Sequence, residues 1–280
     1  MKLLITGAGG MLGRAVVMAA ARAGHELLAT ARAHLDVTDR EAVMRRIDEE
    51  RPAAVINCAG YTDVDGAEGD RLSAHAVNAE GAGNVAAAAA AAGAAIVHVS
   101  TDYVFDGSKR EPWLESDPTG PLGVYGETKL AGEQAVSDAN PDHAIVRTAW
   151  LFGDGAKNFV DTMLQLGSER EEVSVVTDQI GCPTWTRHLA GALLALAEHP
   201  RDAGIHHIAA AGSCSWNELA REVFDRADMG CRVLPVTSDA FPRPAARPAY
   251  SVLGSERADP LILPSWQLGV AEYVANRASA

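Results

Sequence analysis

Tyr125 and Lys129 stand four positions apart in the stretch VYGETK, residues 124–129. On a helix, two such side chains lie one above the other on the same face. A free phenol ionises near about pH 10 and a free lysine near about 10.4, so neither exchanges protons readily at neutral pH by itself. A protonated Lys129 beside Tyr125 favours the ionised phenol and is expected to pull its pKa down. Such a pair could donate a proton in a reaction that makes or unmakes an alcohol. The same spacing also fits an ordinary pair on a helix surface, so the rest of the chain must decide.

A second feature is TGAGGMLG, residues 6–13, with glycines at 7, 10 and 13 in the spacing GxxGxxG. The stricter GxGxxG fails, because Leu12 fills its last place. The physics is shared. Gly7 permits a tight turn, Gly10 lets a diphosphate approach the backbone, and Gly13 lets a helix pack on a strand. The helix N-terminus then offers N–H groups and a partial positive charge to the phosphates. NAD-binding versions often end the second strand with an acid that holds the ribose hydroxyls. Here that place reads TARA, with Ala31 and Arg32. An arginine suits a 2′-phosphate, so NADPH is expected, with NADH as a second possibility. Further on, Asp36 and Val37 in LDVTD stand where an adenine could be clasped. NCAGYT, residues 57–62, ends the third strand with small residues (Cys58, Ala59 and Gly60, then Tyr61) across which a cofactor could lie.

VSTDYVF, residues 99–105, adds Ser100 and Thr101 at the carboxyl end of a strand, where ligands bind in open α/β sheets. A dinucleotide loop, a strand-end hydroxyl and a Tyr/Lys helix together describe hydride transfer to a carbonyl. The cofactor supplies the hydride. Tyr125 protonates the forming alkoxide. Lys129 tunes Tyr125 and can bind the nicotinamide ribose. Thr101 hydrogen-bonds the carbonyl oxygen as its charge grows.

The elements that must position these groups alternate strand and helix. KLLIT is followed by a helix from Leu12 to about Ala23, which Gly24 stops. HELLAT is a second strand. A helix capped by Thr38 or Asp39 follows, with Pro52 just past its end. AAVINCAG is a third strand, and a long helix covers about 72–92. AAIVHVSTDYVF, helix 123–139 and HAIVRTAW complete the first half. This alternation indicates a Rossmann-type, doubly wound parallel sheet. The strands read as continuous apolar runs, as expected when both faces are covered. Residues 1–150 are expected to form the cofactor-binding domain. Residues 151–280 are expected to form mainly a smaller, mixed α/β substrate lobe, with some segments returning to the first. Its helices are expected near 156–167, 186–198 and 215–227, and its strands near 173–176, 205–209 and 232–236.

Bulk composition fits that reading. Hydrophobic residues make up 48% and charged residues 22% of the 280 positions, as in a soluble globular protein. A net charge of −13 argues against broad nucleic-acid binding. No apolar run is long enough to span a bilayer, and no signal peptide is evident. Cys58, Cys182, Cys214 and Cys231 are widely spaced, which suggests a reduced, cytoplasmic chain without a zinc site. Adjacent His206 and His207 should point to opposite faces of a strand, and are read as structural.

The stretches GAGGMLG, NCAGYTDVDGAE, STDYVFDG, PLGVYGETKLAGE, RTAWLFG, KNFVDTML, DQIGCPT, GSCSWNELA and RPAYSVL are spread along nearly the whole chain, from Gly7 to Leu253. With them the sequence resembles the dTDP-4-dehydrorhamnose reductase family of extended short-chain dehydrogenases/reductases. The resemblance implies NADPH-dependent reduction of the 4-keto group of a dTDP-4-dehydro-6-deoxysugar, dTDP-4-dehydro-L-rhamnose to dTDP-L-rhamnose first among them. A sibling reductase of antibiotic deoxysugar or dihydrostreptose synthesis, or a non-catalytic NADP-binding subunit, are the alternatives. Carried over, Thr101, Tyr125 and Lys129 are the catalytic set. Gly10, Met11, Leu12, Asp36, Val37 and residues 59–61 line the cofactor. Thr101, Asp102 and Trp150 contact the sugar, with Val64 and Asp65 nearby. Some relatives hold an intersubunit magnesium with a Glu just after the glycine loop, where this chain has Ala15. No metal is therefore expected, and a monomer or weak homodimer is. Among Arg147, Arg187, Arg232, Arg243 and Arg247, the last is favoured for the substrate diphosphate, because it lies in RPAYSVL and a planar guanidinium suits that group.

Overall fold

A computed structural model describes residues 1–199 and 203–278. The first half is β1 (Lys2–Thr6), α1 (Met11–Arg22), β2 (Glu26–Thr30), α2 (Arg40–Glu50), β3 (Ala54–Asn57), α3 (Val64–Gly69), α4 (Arg71–His75), α5 (Ala82–Ala91), β4 (Ala95–Thr101), α6 (Val124–Ala139) and β5 (His143–Thr148). With Gly204–His207, these strands form one sheet in the order Gly204–His207, β5, β4, β3, β1, β2. Every pairing in it is parallel. Strand order reverses between β1 and β3, so a crevice opens beyond their carboxyl ends.

At the centre of the sheet both faces are buried, which is why β1 and β3 are mostly apolar. Leu3, Ile5 and Ile56 pack toward α1 and the helix Thr186–Glu198. Leu4, Val55, Ile96 and Ile145 pack with residues of α2 and α5 on the other side. Each such side chain contributes about 1.5–3 kcal/mol relative to exposure. Helix ends follow local chemistry. The Asp39 carboxylate accepts from Ala42 N and opens α2. Arg51, in the left-handed region at φ 45°, ends it just before Pro52.

The long helix expected over 72–92 is divided. Asp63 and Asp70 each cap a short helix by accepting a backbone N–H three residues on. The turn Ala76–Gly81 then widens to a π-helix before α5. Such wide turns often accompany functional sites, and this one carries buried Asn78.

Beyond β5, α7 (Phe159–Glu169) and the helix Trp216–Arg226 pack around Val173, Val175 and Phe224. Strands Glu172–Val176 and Arg232–Val236 pair in parallel. The strand Gly204–His207 and the helix Thr186–Glu198 belong physically to the first half, the one extending its sheet and the other covering it.

Candidate active site

The glycine loop is built for close approach. Gly7 sits at φ +65°, and a Cβ there would lie 2.6 Å from Ala59 N. A Cβ on Gly13 would lie 2.2 Å from Gly7 O, so α1 meets the loop only without a side chain there. Gly10 caps α1 with no side-chain hydrogen bond. The first-turn N–H groups, those of Met11 and Leu12 among them, therefore face the crevice end with no side chain competing for an anion. A diphosphate fits this cradle. Val37 is buried against Gly81, and its carbonyl accepts from Asn84 Nδ2 at 3.1 Å. Asp36 accepts from both the N–H and the hydroxyl of Thr38. Across the crevice, Cys58 is half-buried and Ala59 N bonds Asn57 Oδ1 at 3.2 Å. Tyr61 is held by Asn78, which accepts from Tyr61 N at 2.8 Å and donates to Tyr61 O at 3.1 Å, and a Cβ on the neighbouring Gly60 would lie 3.4 Å from Asn78 Oδ1. Arg32 lies two residues past β2, 84% exposed, with Nε 3.4 Å from Asp36 Oδ2.

α6 carries the Tyr/Lys pair. Its N-terminus has no cap of its own, and Glu68 of α3 supplies one by accepting from Val124 N at 2.9 Å. Gly126 lets the helix close onto the chain after β4, since a Cβ would lie 2.2 Å from Tyr103 O. Tyr125 meets Tyr103 edge-on, with centroids 5.6 Å apart. Thr101 ends β4, donates to Asp102 Oδ1 at 3.1 Å and accepts from Tyr103 N at 3.2 Å. Lys129 is buried and donates to Val99 O at 2.6 Å. Thr101, Tyr125 and Lys129 thus gather at the carboxyl end of β4, on the same side as the glycine loop.

The proton energetics differ from the expectation. Burial pushes Tyr125 up to about 12, while its hydrogen-bond neighbour Thr101 draws it part of the way back. Burial likewise takes Lys129 down to about 8, against the favourable charge of Glu133. Burial, not Lys129, sets the direction of the Tyr125 shift. Tyr125 remains protonated, which is the form that donates. Asp102, fully buried, is raised by burial to about 6.

Ser100, next to Thr101 in β4, has a partner of its own. Consecutive strand side chains point to opposite faces. Ser100 therefore turns to α6 and donates to Glu133 Oε1 at 2.5 Å. Trp150, in the left-handed region at φ 48°, stacks on Trp216 with centroids 3.5 Å apart. Val64 lines a small cleft with Tyr103, Tyr125, Gly126, Ala245 and Pro248. Asp65 is gripped by Arg243 and Arg247. Of the other arginines, Arg147 is buried in an ion pair with Glu133, Arg232 pairs with Glu172, and Arg187 lies over Trp185. Glu68, Asn78 and Glu133 were not legible as site residues. Only the position of Glu133, one helical turn beyond Lys129, signalled a shared face.

The family model described as the RmlD substrate binding domain matches residues 1–279. A curated dTDP-4-dehydrorhamnose reductase of Mycolicibacterium smegmatis is 48% identical over 260 residues, 91% of this chain and 79% of that protein. A crystal structure of a dTDP-4-dehydrorhamnose reductase from Clostridium acetobutylicum superposes with a TM-score of 0.96 at 43% identity, covering 99% of this chain and 100% of that one. One from Bacillus anthracis, solved in complex with NADP, gives 0.95 at 40% identity, covering 98% and 99%.

Proposed function

This chain belongs to the dTDP-4-dehydrorhamnose reductase family, and on that premise we propose that it reduces the 4-keto group of a dTDP-4-dehydro-6-deoxysugar with NADPH. The substrate that fits first is dTDP-4-dehydro-L-rhamnose, giving dTDP-L-rhamnose. The observation that carries the reading is the convergence of Thr101, Tyr125 and Lys129 beside a glycine cradle at the strand ends.

NADPH, when bound, supplies the hydride that reduces the carbonyl carbon. Gly7, Gly10, Met11, Leu12 and Gly13 would hold its diphosphate, Asp36 and Val37 its adenine, Arg32 its 2′-phosphate, and Cys58 through Tyr61 the opposite wall. Tyr125 gives its phenolic proton to the C4 oxygen. The neutral phenol is present across the physiological range, because burial keeps its pKa near about 12. Lys129, mostly cationic at neutral pH with a pKa of about 8, would bind the nicotinamide ribose and offset charge on the phenolate as it forms. Thr101 stabilises the developing oxyanion once its proton turns from Asp102 to the substrate. Val64, Asp65, Asp102 and Trp150 are the sugar-facing candidates, and Arg247 the candidate for the diphosphate. With Ala15 in place of a carboxylate, the reading extends to a monomer or weak homodimer acting without metal. No helix among the described residues is long and apolar enough to cross a membrane.

The test is NADPH oxidation with a panel of dTDP-4-keto-6-deoxysugars, followed by the stereochemistry at C4. Turnover of the rhamnose precursor is expected. Oxidation with no member of the panel would leave a nucleotide-binding protein without this activity.

A further inference from the structure

One buried ionic cluster lies outside the groups the reaction uses directly. The Arg147 guanidinium of β5 grips the Glu133 carboxylate of α6 with Nε 2.9 Å from Oε1 and Nη2 2.7 Å from Oε2. Both side chains are almost completely buried, at 2% and 5% exposure. Isolated charges there would be prohibitively costly, and even paired ones are weak evidence of stability. The same Oε1 also accepts the Ser100 hydroxyl. Ser100 lies in β4 between Val99, whose carbonyl takes Lys129 Nζ, and Thr101. Ser100 and Arg147 are register partners in adjacent strands, so the cluster joins β4, β5 and α6 at one level of the sheet.

We propose that Glu133 is a positioning residue for the reaction: locked by Arg147, it fixes the segment Val99–Thr101 against α6 and supplies the negative charge that faces Lys129. Two consequences follow from one carboxylate. Through Ser100 it sets where the Lys129 acceptor and the Thr101 hydroxyl stand. Through space it favours the cationic lysine against burial. The other titratable groups facing Lys129 do not supply that charge. Cys58, at the end of β3, is held up to about 12 by burial and stays a neutral thiol. His98 of β4 is held well below its usual range by burial, then by Lys129, and stays a neutral ring. On the far side of the cluster, His207 Nδ1 lies 2.9 Å from Trp113 O and 2.8 Å from Gly254 O. His207 Nε2 in turn lies 3.4 Å from Arg147 Nη1, so the cluster is braced from the strand at the sheet's edge.

The inference rests on the reductase reading, so its test combines a readout of turnover with one that needs none. Full-length protein carrying 13C-labelled lysine is titrated by NMR, with Lys129→Met identifying the Lys129 signal. Glu133→Gln keeps the shape and the Ser100 bond but leaves Arg147 unpaired. The double variant Glu133→Gln/Arg147→Met removes both charges, which buried sites tolerate better, and keeps the test open if the single variant misfolds. In the folded variant the Lys129 titration is expected to move to lower pH. kcat is expected to fall roughly ten- to hundredfold, as for a displaced catalytic group, with the KM for the sugar nucleotide little changed. Ser100→Ala is expected to lower kcat without moving the Lys129 titration. A folded double variant with an unmoved Lys129 titration, or with wild-type kcat, overturns the proposal and leaves the pair as glue between α6 and β5. Wild-type protein inactive on every 4-keto sugar would instead sink the reductase reading, while the NMR titration would still decide whether Glu133 acts on Lys129.

Discussion

Arg247 takes both oxygens of the Asp65 carboxylate, with Nη1 3.0 Å from Oδ1 and Nη2 2.9 Å from Oδ2. Arg243 adds a contact at 3.3 Å and Ala245 N another at 3.2 Å. The pair joins positions 182 residues apart. It ties the segment 243–248 to the first turn of α3, over the cleft that Tyr125 and Tyr103 line. The cation proposed for the substrate diphosphate is thus already oriented by the carboxylate beside Val64.

Arg247→Met should raise the KM for the sugar nucleotide roughly ten- to hundredfold, the worth of a charge-assisted contact of about 1.5–3 kcal/mol. kcat should change less. A KM within a factor of two of wild type removes Arg247 from the diphosphate.

The same pair sets an acid-stability signature. The Arg247 hydrogen bond, first among its causes, holds Asp65 down to about 2. A depressed carboxylate adds stability above its unfolded pKa and loses it as pH falls through the folded value. Asp65→Asn should therefore lower Tm at pH 7, and the gap from wild type should close between about pH 4 and pH 2. A gap that stays constant with pH would show that the ion pair contributes nothing to the fold.

Tyr125→Phe should retain fold and NADPH binding and lose roughly 10²–10⁴ in kcat. Lys129→Met should lose rate and cofactor affinity together, yet gain stability at pH 7. Burial has lowered the folded pKa of Lys129 to about 8, from 10.5. Wild-type stability therefore rises with pH across that interval, because the unfolded chain binds the proton that the folded one has released. The advantage of Lys129→Met should shrink as pH rises from 8 toward 10.5. Thermal melts across that range check the sign.

Asp102 gives the opposite slope. Burial lifts it to about 6, so the folded state keeps a proton that the unfolded state releases, and wild-type stability falls as pH climbs from 3.8 to about 6. Asp102→Asn should be more stable relative to wild type at pH 7.5 than at pH 4.5. Equal differences at both pH values would place the carboxyl in a far better solvated setting than its buried position implies.

What sequence could reveal divides along the range of the interactions. The glycine loop, the strand ends and the Tyr125/Lys129 face are local patterns, and periodicity placed α1, α2, α6 and most later helices within a few residues. The break in the 72–92 helix was hidden because its cause, Asn78 reaching Tyr61 and Thr128, joins residues 17 and 50 positions apart. Glu133–Arg147 and Asp65–Arg247 escaped for the same reason: no local spacing announces a partner from another strand or lobe. The sign of the Tyr125 shift was missed because it depends on burial, which the YxxxK spacing does not encode. The Ser100 bond to Glu133 was hidden too, because a strand-end position alone does not say which face the side chain takes.

Cofactor choice turns on Arg32. β2 ends at Thr30, Ala31 neither bonds nor repels a phosphate, and Arg32 follows with its guanidinium in solvent. Its partner is Asp36, at a long 3.4 Å, and Asp36 is itself occupied by the N–H and hydroxyl of Thr38. A doubly charged 2′-phosphate should outcompete that contact. A well-formed charge-assisted bond is worth roughly 1.5–3 kcal/mol, hence a preference for NADPH over NADH of roughly ten- to hundredfold. The exposure of Arg32 places the effect toward the low end, and added salt should erode it further. Arg32→Ala should weaken NADPH and leave NADH nearly unchanged, measured as dissociation constants for both nucleotides at two salt concentrations. Equal weakening of both nucleotides, or wild-type protein that binds them equally well, would make Arg32 a surface residue and put the discrimination elsewhere in the loop after β2.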